Sequence, residues 1–285
     1  MTKKIFGDTL AAPFIVEKLG VGLPPPRYLP AAGKLETMVA MEELMLTGTA
    51  DLDEAAAYFL PDAGADILFD ASCGNGAVSA YFSTKVKMVI AADTSMAVLK
   101  KAQELLSERM TLNNVLFREA DPEDLSFPAG AFSLLCCRRD FQRFFDLDRV
   151  LAEFYRVLRW EGKMVIIDTL PPENPAAAEF YQELNLLRDP EYVRAFRLEE
   201  WQRALDASPF RIDEIRTFTT RISFQDWCGQ ALLPAAAAER IQNLFFTAPA
   251  KATGPFDFKT FGGEVENFTV RRILVKAFHP PKPIR

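Results

Sequence analysis

The stretch Ile67-Leu68-Phe69-Asp70-Ala71-Ser72-Cys73-Gly74-Asn75-Gly76 decides the fold. Three apolar residues run into an acid, and a turn holding two glycines follows. A short apolar run bounded by turn residues reads as a buried strand. Gly74 and Gly76 let the chain turn tightly and leave room for a ligand to lie against the backbone. Residues 76–83 then read as a helix. Met88–Ala92 is the next apolar run and ends at Asp93, and Val98, Ala102, Leu105 and Leu106 share one face of the helix after it. Val115-Leu116-Phe117 is a third strand and Phe132–Cys137 a fourth. Val150, Phe154, Val157 and Leu158 form the apolar face of a helix that Gly162 is expected to stop, and Met164–Ile167 is a fifth strand.

Short buried strands alternating with helices predict βαβ units and a parallel sheet. Right-handed crossovers make it doubly wound. Two later segments, Phe210–Phe218 and Thr269–Phe278, alternate like strands and extend the sheet at one edge. The expected fold class is therefore α/β: a doubly wound, mostly parallel, Rossmann-like sheet of seven strands, with helices on both faces and a helical lid. Helical patterns also cover about 174–187, 199–207 and 225–247, the last lying between the two late strands. Upstream, Leu35, Met38, Met41, Leu44 and Met45 mark a helix over 35–47, and Leu52–Phe59 marks another. The expected division is an N-terminal arm with lid helices over 1–59 and a main domain over 60–285, with a helical insertion at about 221–262.

Bulk properties narrow the function. The 285 residues carry a net charge of −6 with 49% apolar residues, so a sizeable core is expected and a nucleic-acid partner is not. No run is long enough for a membrane span, and no secretory leader is evident, which gives a cytoplasmic expectation. Four cysteines without a C-x-x-C pair give no disulfide framework, and with His279 as the only histidine no metal site is expected.

Ligands of open α/β sheets bind at the carboxyl ends of the strands. Asp93, at the end of the second strand, is placed to accept both hydroxyls of a ribose. A dinucleotide fingerprint would need a third glycine where Ser79 stands. An acid such as Asp70 suits a ligand carrying an ammonium and a sulfonium.

On these residues the chain resembles the class I S-adenosylmethionine-dependent methyltransferases, in particular the group similar to the ubiquinone and menaquinone C-methyltransferases. Asp70–Gly76 resembles the first motif of that family, D-x-G-C-G-x-G. Ala91-Ala92-Asp93-Thr94-Ser95-Met96 resembles the acidic second motif. Residues 119–128, EADPEDLSFP, resemble the segment that frames the adenine, and Phe132–Arg138 and the run EFYRVLRWEG at 153–162 follow in order. The resemblance implies S-adenosyl-L-methionine as cofactor, with S-adenosyl-L-homocysteine as product. It also implies a small-molecule methyl acceptor, with O- or C-methylation left open, and a homodimer is among the candidate assemblies. The implied cofactor-binding residues are Asp70, Ser72, Cys73, Gly74, Gly76, Asp93, Thr94, Met96, Asp121, Pro122, Glu123 and Arg138.

The chain departs from the family at four places. Ser72 replaces a glycine, at little cost if its φ stays negative. Ser133 replaces an acid and is expected to matter only for local capping. Trp160-Glu161 alters a turn. Gln142-Arg143 stands where the family often has two histidines, which keeps open an alternative: a cofactor-binding but inactive partner or regulatory protein. No catalytic residue is identified. Asp140, Asp168, Tyr181 and Tyr192 are the candidates for a base. Arg138, Arg139 and Arg143 either read an acidic substrate or pair with acids such as Asp140 or Asp146. Cys136-Cys137 reads as core, and the aromatics of 245–268 as core or lid packing.

Overall fold

The computed structural model describes residues 49–109, 113–189, 191–230 and 233–283. The expected arm and the helix over 35–47 lie outside them. Helix α1 (Ala50–Phe59) leads into β1 (Ile67–Ala71), α2 (Ala77–Ser83), β2 (Met88–Asp93), α3 (Met96–Arg109) and β3 (Val115–Glu119). Then come β4 (Phe132–Arg138), α4 (Leu147–Val157), β5 (Leu158–Leu170), α5 (Pro175–Arg188) and α6 (Leu198–Ala207). Strand β6 (Arg211–Ser223) is followed by α7 (Phe224–Gln230), α8 (Ala235–Thr247), the short α9 (Ala250–Thr253), β7 (Lys259–Phe261) and β8 (Glu264–Phe278).

The sheet has eight strands, with the order β3-β2-β1-β4-β5-β8-β6 and β7 paired to β8 off that path. Strands β1 to β5 are parallel, whereas β8 runs antiparallel between β5 and β6. The seven expected strands are all present, and β7 is the addition. Its signal is the pair Gly262-Gly263 at φ +59° and +85°, a two-residue hairpin turn that glycine adopts without strain.

The central strands β1, β2 and β4 bury both faces, so neighbours along them serve opposite layers. Leu68, Val89, Leu134, Val165 and Leu274 pack with α1 and α2, through Leu52, Phe59, Val78 and Phe82. Phe69, Ile90, Leu135, Ile166 and Val275 pack with α4 and α6, through Phe154, Trp201 and Leu205. Phe69 stacks on Phe132 at 4.7 Å between ring centroids. A separate apolar cluster joins α5 to α7, α8 and the start of β8 through Phe180, Leu184, Ile241, Phe245, Phe256 and Phe268. The chain over 225–247, expected as one helical stretch, is thus two helices capping one end of the sheet. Among the described residues no helix is long and apolar enough to cross a membrane.

Two local expectations fail for physical reasons. Gly162 does not stop α4, which ends at Val157. Gly162 instead sits inside β5, where the pairing with β4 slips, and a Cβ there would lie 2.8 Å from Leu158 Cγ and 2.9 Å from the Arg159 carbonyl. Ser133 caps nothing. It is buried between β1 and β4, and its hydroxyl accepts from Ile67 N at 2.9 Å and reaches Ile67 O at 3.2 Å.

Candidate active site

The carboxyl ends of β1, β2, β4 and β5 meet above the sheet and bring four acids together. Asp70, next to last in β1, is fully buried, and Ser79 Oγ of α2 donates to its Oδ2 at 2.5 Å. Its Oδ1 has no hydrogen-bond partner, and burial pushes the carboxyl up to about 7. A buried acceptor without a protein partner is costly.

Asp93, 2% exposed, accepts from Gly74 N at 3.2 Å and from Ser95 N at 3.1 Å. Each carboxylate oxygen keeps a free lone pair, which is what two ribose hydroxyls require. Cys73 N donates to Ala92 O at 2.6 Å, holding the glycine turn against β2. The two glycines have different tasks. Gly76 sits at φ +85°, where any side chain is strained, and a Cβ on it would press on Leu106 Cδ1 at 2.8 Å, whereas nothing stands within 4 Å of a Cβ on Gly74. The open face of the turn is at Gly74. Thr94 and Met96, just past Asp93, are exposed beside it.

Ser72 does not keep a negative φ. It sits at +77°, in the left-handed region that favours the glycine usual at this position. Its side chain bonds Asp140, which ties the turn to the segment after β4.

The segment after β3 is less uniform than the resemblance implies. Asp121 is exposed and accepts from Glu123 N at 2.9 Å, Pro122 is buried, and Glu123 accepts from Phe145 N at 2.6 Å and Asp146 N at 3.2 Å. Glu123 therefore tethers this loop to the start of α4.

The arginines after β4 divide. Arg138 forms a two-pronged contact with Asp51 of α1 at 2.9 and 3.1 Å, and Arg139 reaches the same carboxylate at 3.2 Å. Asp51, not Asp146, is their acidic partner among the described residues, and the pairing holds its carboxyl below the usual range against the cost of burial. Asp146 instead caps α4 through Asp148 N and Arg149 N. Arg143 pairs with Asp189 at 2.9 Å and with Asp140 at 3.3 Å.

Burial pushes Asp140 to about 7 and Asp168 to about 6, opposed for Asp140 by Arg143 and for Asp168 by backbone donors. Each Asp168 oxygen accepts one backbone donor, Phe141 N at 2.9 Å and Thr169 N at 2.6 Å. Tyr192 OH accepts from Ala195 N at 3.0 Å. Tyr181 faces open space, and burial pushes its phenol up to about 12. His279 stacks on Tyr155 at 4.0 Å, at the amino end of β5 and away from these groups.

Two neighbouring cavities lie under the helical cap beyond β5. The larger, about 480 Å³, is lined by Leu170, Pro172, Tyr181, Pro255, Phe256 and Val270 with a rim that includes Glu173 and Arg271. The smaller, about 80 Å³, is walled by Arg139, Gln142, Tyr181, Asn185, Arg188 and Arg272. Arg188, Asn185, Trp227 and Arg272 carried no motif. Arg272 had a signal nonetheless: it shares the buried phase of β8 with Val270 and Leu274, where an apolar residue is expected.

Comparison with known proteins agrees with this architecture. Residues 69–166 match the family described as Methyltransferase domain. The uncharacterized methyltransferase YcgJ of Bacillus subtilis (strain 168) is 28% identical over 210 residues, covering 73% of this chain and 83% of that protein. The YcgJ crystal structure superposes with a TM-score of 0.71 at 26% identity, covering 82% of this chain and 100% of that one. The ubiquinone/menaquinone biosynthesis C-methyltransferase UbiE of Marinomonas sp. (strain MWYL1) is 28% identical over 119 residues, 41% of this chain and 47% of the relative. The chain carries a methyltransferase domain and is homologous to both of these methyltransferases.

Proposed function

We propose, starting from a chain that carries a methyltransferase domain, that this protein transfers a methyl group from S-adenosylmethionine to a small-molecule acceptor at oxygen or carbon. The observation that carries this reading is the pairing of the open turn at Gly74 with the unpartnered Asp70 Oδ1 and the buried Asp93 carboxylate. In this reading Asp93 holds the ribose hydroxyls. Asp70 takes the ammonium of the amino-acid end, with Ser72, Cys73, Gly74 and Gly76 shaping the turn between them. Thr94 and Met96 lie along the nucleoside, Asp121, Pro122 and Glu123 frame the adenine side, and Arg138 closes the loop end through Asp51.

The bound cofactor would supply a methyl already activated on a sulfonium. The chain's own work is then to hold the acceptor in line with it and to exclude water, and alignment of this kind contributes on the order of 7–11 kcal/mol. The helical cap over about 221–262 is the lid in this reading, with the acceptor below it. Asp140, raised to about 7 and bonded to Ser72, is the acid best poised to accept a proton from an acceptor hydroxyl. The net charge of −6 favours a small molecule over nucleic acid as partner.

One observation favours a second reading, a cofactor-binding protein without turnover. Arg143, standing where the family often has histidine, is locked to Asp140 and Asp189. Titration calorimetry with S-adenosylmethionine and S-adenosylhomocysteine tests the cofactor directly, with Asp93→Ala as control. Turnover on a panel of phenols and quinol-like acceptors separates the two readings.

A further inference from the structure

The cap and β8 bury cations that the methyl-transfer reading does not use. Arg272 is 4% exposed on β8. Among the described residues its guanidinium makes one hydrogen bond, a long contact from Nη1 to Thr169 Oγ1 at 3.4 Å, and its Nε is buried with no partner there. Arg188 lies across the smaller cavity at the end of α5. It donates from Nε to Trp227 O at 3.0 Å and stacks on the Trp227 ring at 4.8 Å. Among the described residues neither guanidinium has a carboxylate at ion-pair distance. The acids that act on Arg272, Asp51 and Asp168, do so only at longer range, and Asp168 is turned toward Phe141 N and Thr169 N.

A guanidinium keeps its proton in a protein, so both sites stay cationic. Burying such a group without an anion is costly, and an unpaired buried donor adds to that cost. Positions that cost stability in this way mark functional sites. The register of α5 supports a built site: Tyr181, Asn185 and Arg188 share one helix face and all three line the small cavity. Asn185 is itself 1% exposed and held by its Nδ2 bond to Tyr181 O at 2.8 Å.

We propose that the smaller cavity is the carboxylate subsite of the methyl acceptor, with Arg188 and Arg272 gripping an organic acid whose apolar body lies in the adjoining larger cavity. This rests on the methyl-transfer reading and adds a substrate class to it. A volume of about 80 Å³ admits a carboxylate with little else, and the guanidinium fork matches its two oxygens. The larger cavity, about 480 Å³, continues from it past Tyr181 and Val270 onto Leu170, Pro172, Pro255 and Phe256. That lining accepts an aromatic or alkyl body.

The test is calorimetry on the full chain saturated with S-adenosylhomocysteine. The probes are phenylacetate, 3-phenylpropionate and 4-phenylbutyrate, each beside its neutral primary amide. At least one acid is expected to bind roughly tenfold or more tighter than its amide, the difference made by charge-assisted hydrogen bonds. Arg272→Met and Arg188→Met should each bring that preference below about twofold and leave S-adenosylhomocysteine affinity unchanged. Arg272→Met should also melt no lower than wild type, since it removes an unpaired buried cation, whereas a purely structural arginine would lower the melting temperature. Equal binding of acid and amide in all three pairs overturns the proposal, as does a preference that survives both substitutions. If Arg272→Met does not fold, the wild-type contrast and Arg188→Met still decide. Failure of S-adenosylhomocysteine to bind would break the cofactor reading alone, and an acid preference in the unloaded protein would still uphold the subsite.

Discussion

The two halves of the cleft are built from opposite materials. On the β1–β2 side, loops leave rigid parallel strands and present acids: Asp70 and Asp93, with Asp140 beside them. On the β5–β8 side, a helical cap and an antiparallel strand present Arg188 and Arg272 with amides and aromatic rings. The first half suits a ligand that is cationic and always the same. The second suits an anionic body whose shape is set by the cap. The contrast teaches that one net charge conceals two patches of opposite sign on facing sides of the cleft.

The largest effect that would sharpen this contrast is on the cap. Phe245 is 1% exposed and touches Phe180, Phe224, Phe256 and Phe268. Phe245→Ala should cost ~3–5 kcal/mol of cap packing and leave S-adenosylhomocysteine affinity within about twofold. Denaturant melts and calorimetry on the same preparation check both, and a matching collapse of cofactor affinity would show that the halves are not separable.

Next comes Asp93→Ala, where loss of charge-assisted hydrogen bonds should cost ~1.5–3 kcal/mol of cofactor affinity, roughly 10- to 150-fold. The acid preference of the other half should persist in that variant.

The acidic half also sets a pH dependence. Asp70 and Asp140 sit at about 7 and Asp168 at about 6 in the folded chain, raised mainly by burial. The unfolded chain titrates near ~3.9. Between these values the folded state binds more protons than the unfolded state, so stability falls as pH rises. The unliganded protein should therefore be more stable at pH 5.5 than at pH 8, by at least about 1.4 kcal/mol, the equivalent of one pKa unit. Asp70→Asn should flatten the profile. A melting temperature that climbs steadily from pH 5.5 to 8 would contradict the burial of these groups.

The smallest effect is at Ser72. Glycine there relieves a left-handed serine, worth ~1–2 kcal/mol, and gives back ~0.5–1 kcal/mol of chain entropy. Ser72→Gly should thus gain about 0.5 kcal/mol in a denaturant melt. A loss would mean that the Ser72–Asp140 bond outweighs the strain.

The acidic half was legible because its signals are local. A strand, an acid and two glycines lie within ten consecutive residues, and Asp93 follows at the end of the next strand. The backbone there turns as those residues require. The sign of φ at Ser72 was not legible, since serine prefers a negative φ and the contacts of the loop override that preference. The basic half was legible only as helices and strands. Arg188 and Arg272 are 84 positions apart and meet because β8 returns to lie beside β5. Likewise the partner of Arg138 and Arg139 is Asp51, on a helix far upstream, and no spacing rule reaches that distance. The Gly262-Gly263 hairpin and the position of Arg272 in the buried phase of β8 were local signals left unread.

The antiparallel placement of β8 has an evolutionary consequence. Neighbouring parallel strands demand a crossover that travels the length of the sheet, so its size is constrained. The chain between β6 and β8 instead leaves and returns at the same end, and its length is free. Insertions, deletions or wholesale exchange within 224–258 would leave every strand in register. A lineage could diversify what it methylates by recombination in that stretch while inheriting the donor half intact, and grafting a relative's segment is the corresponding route to new specificity in the laboratory.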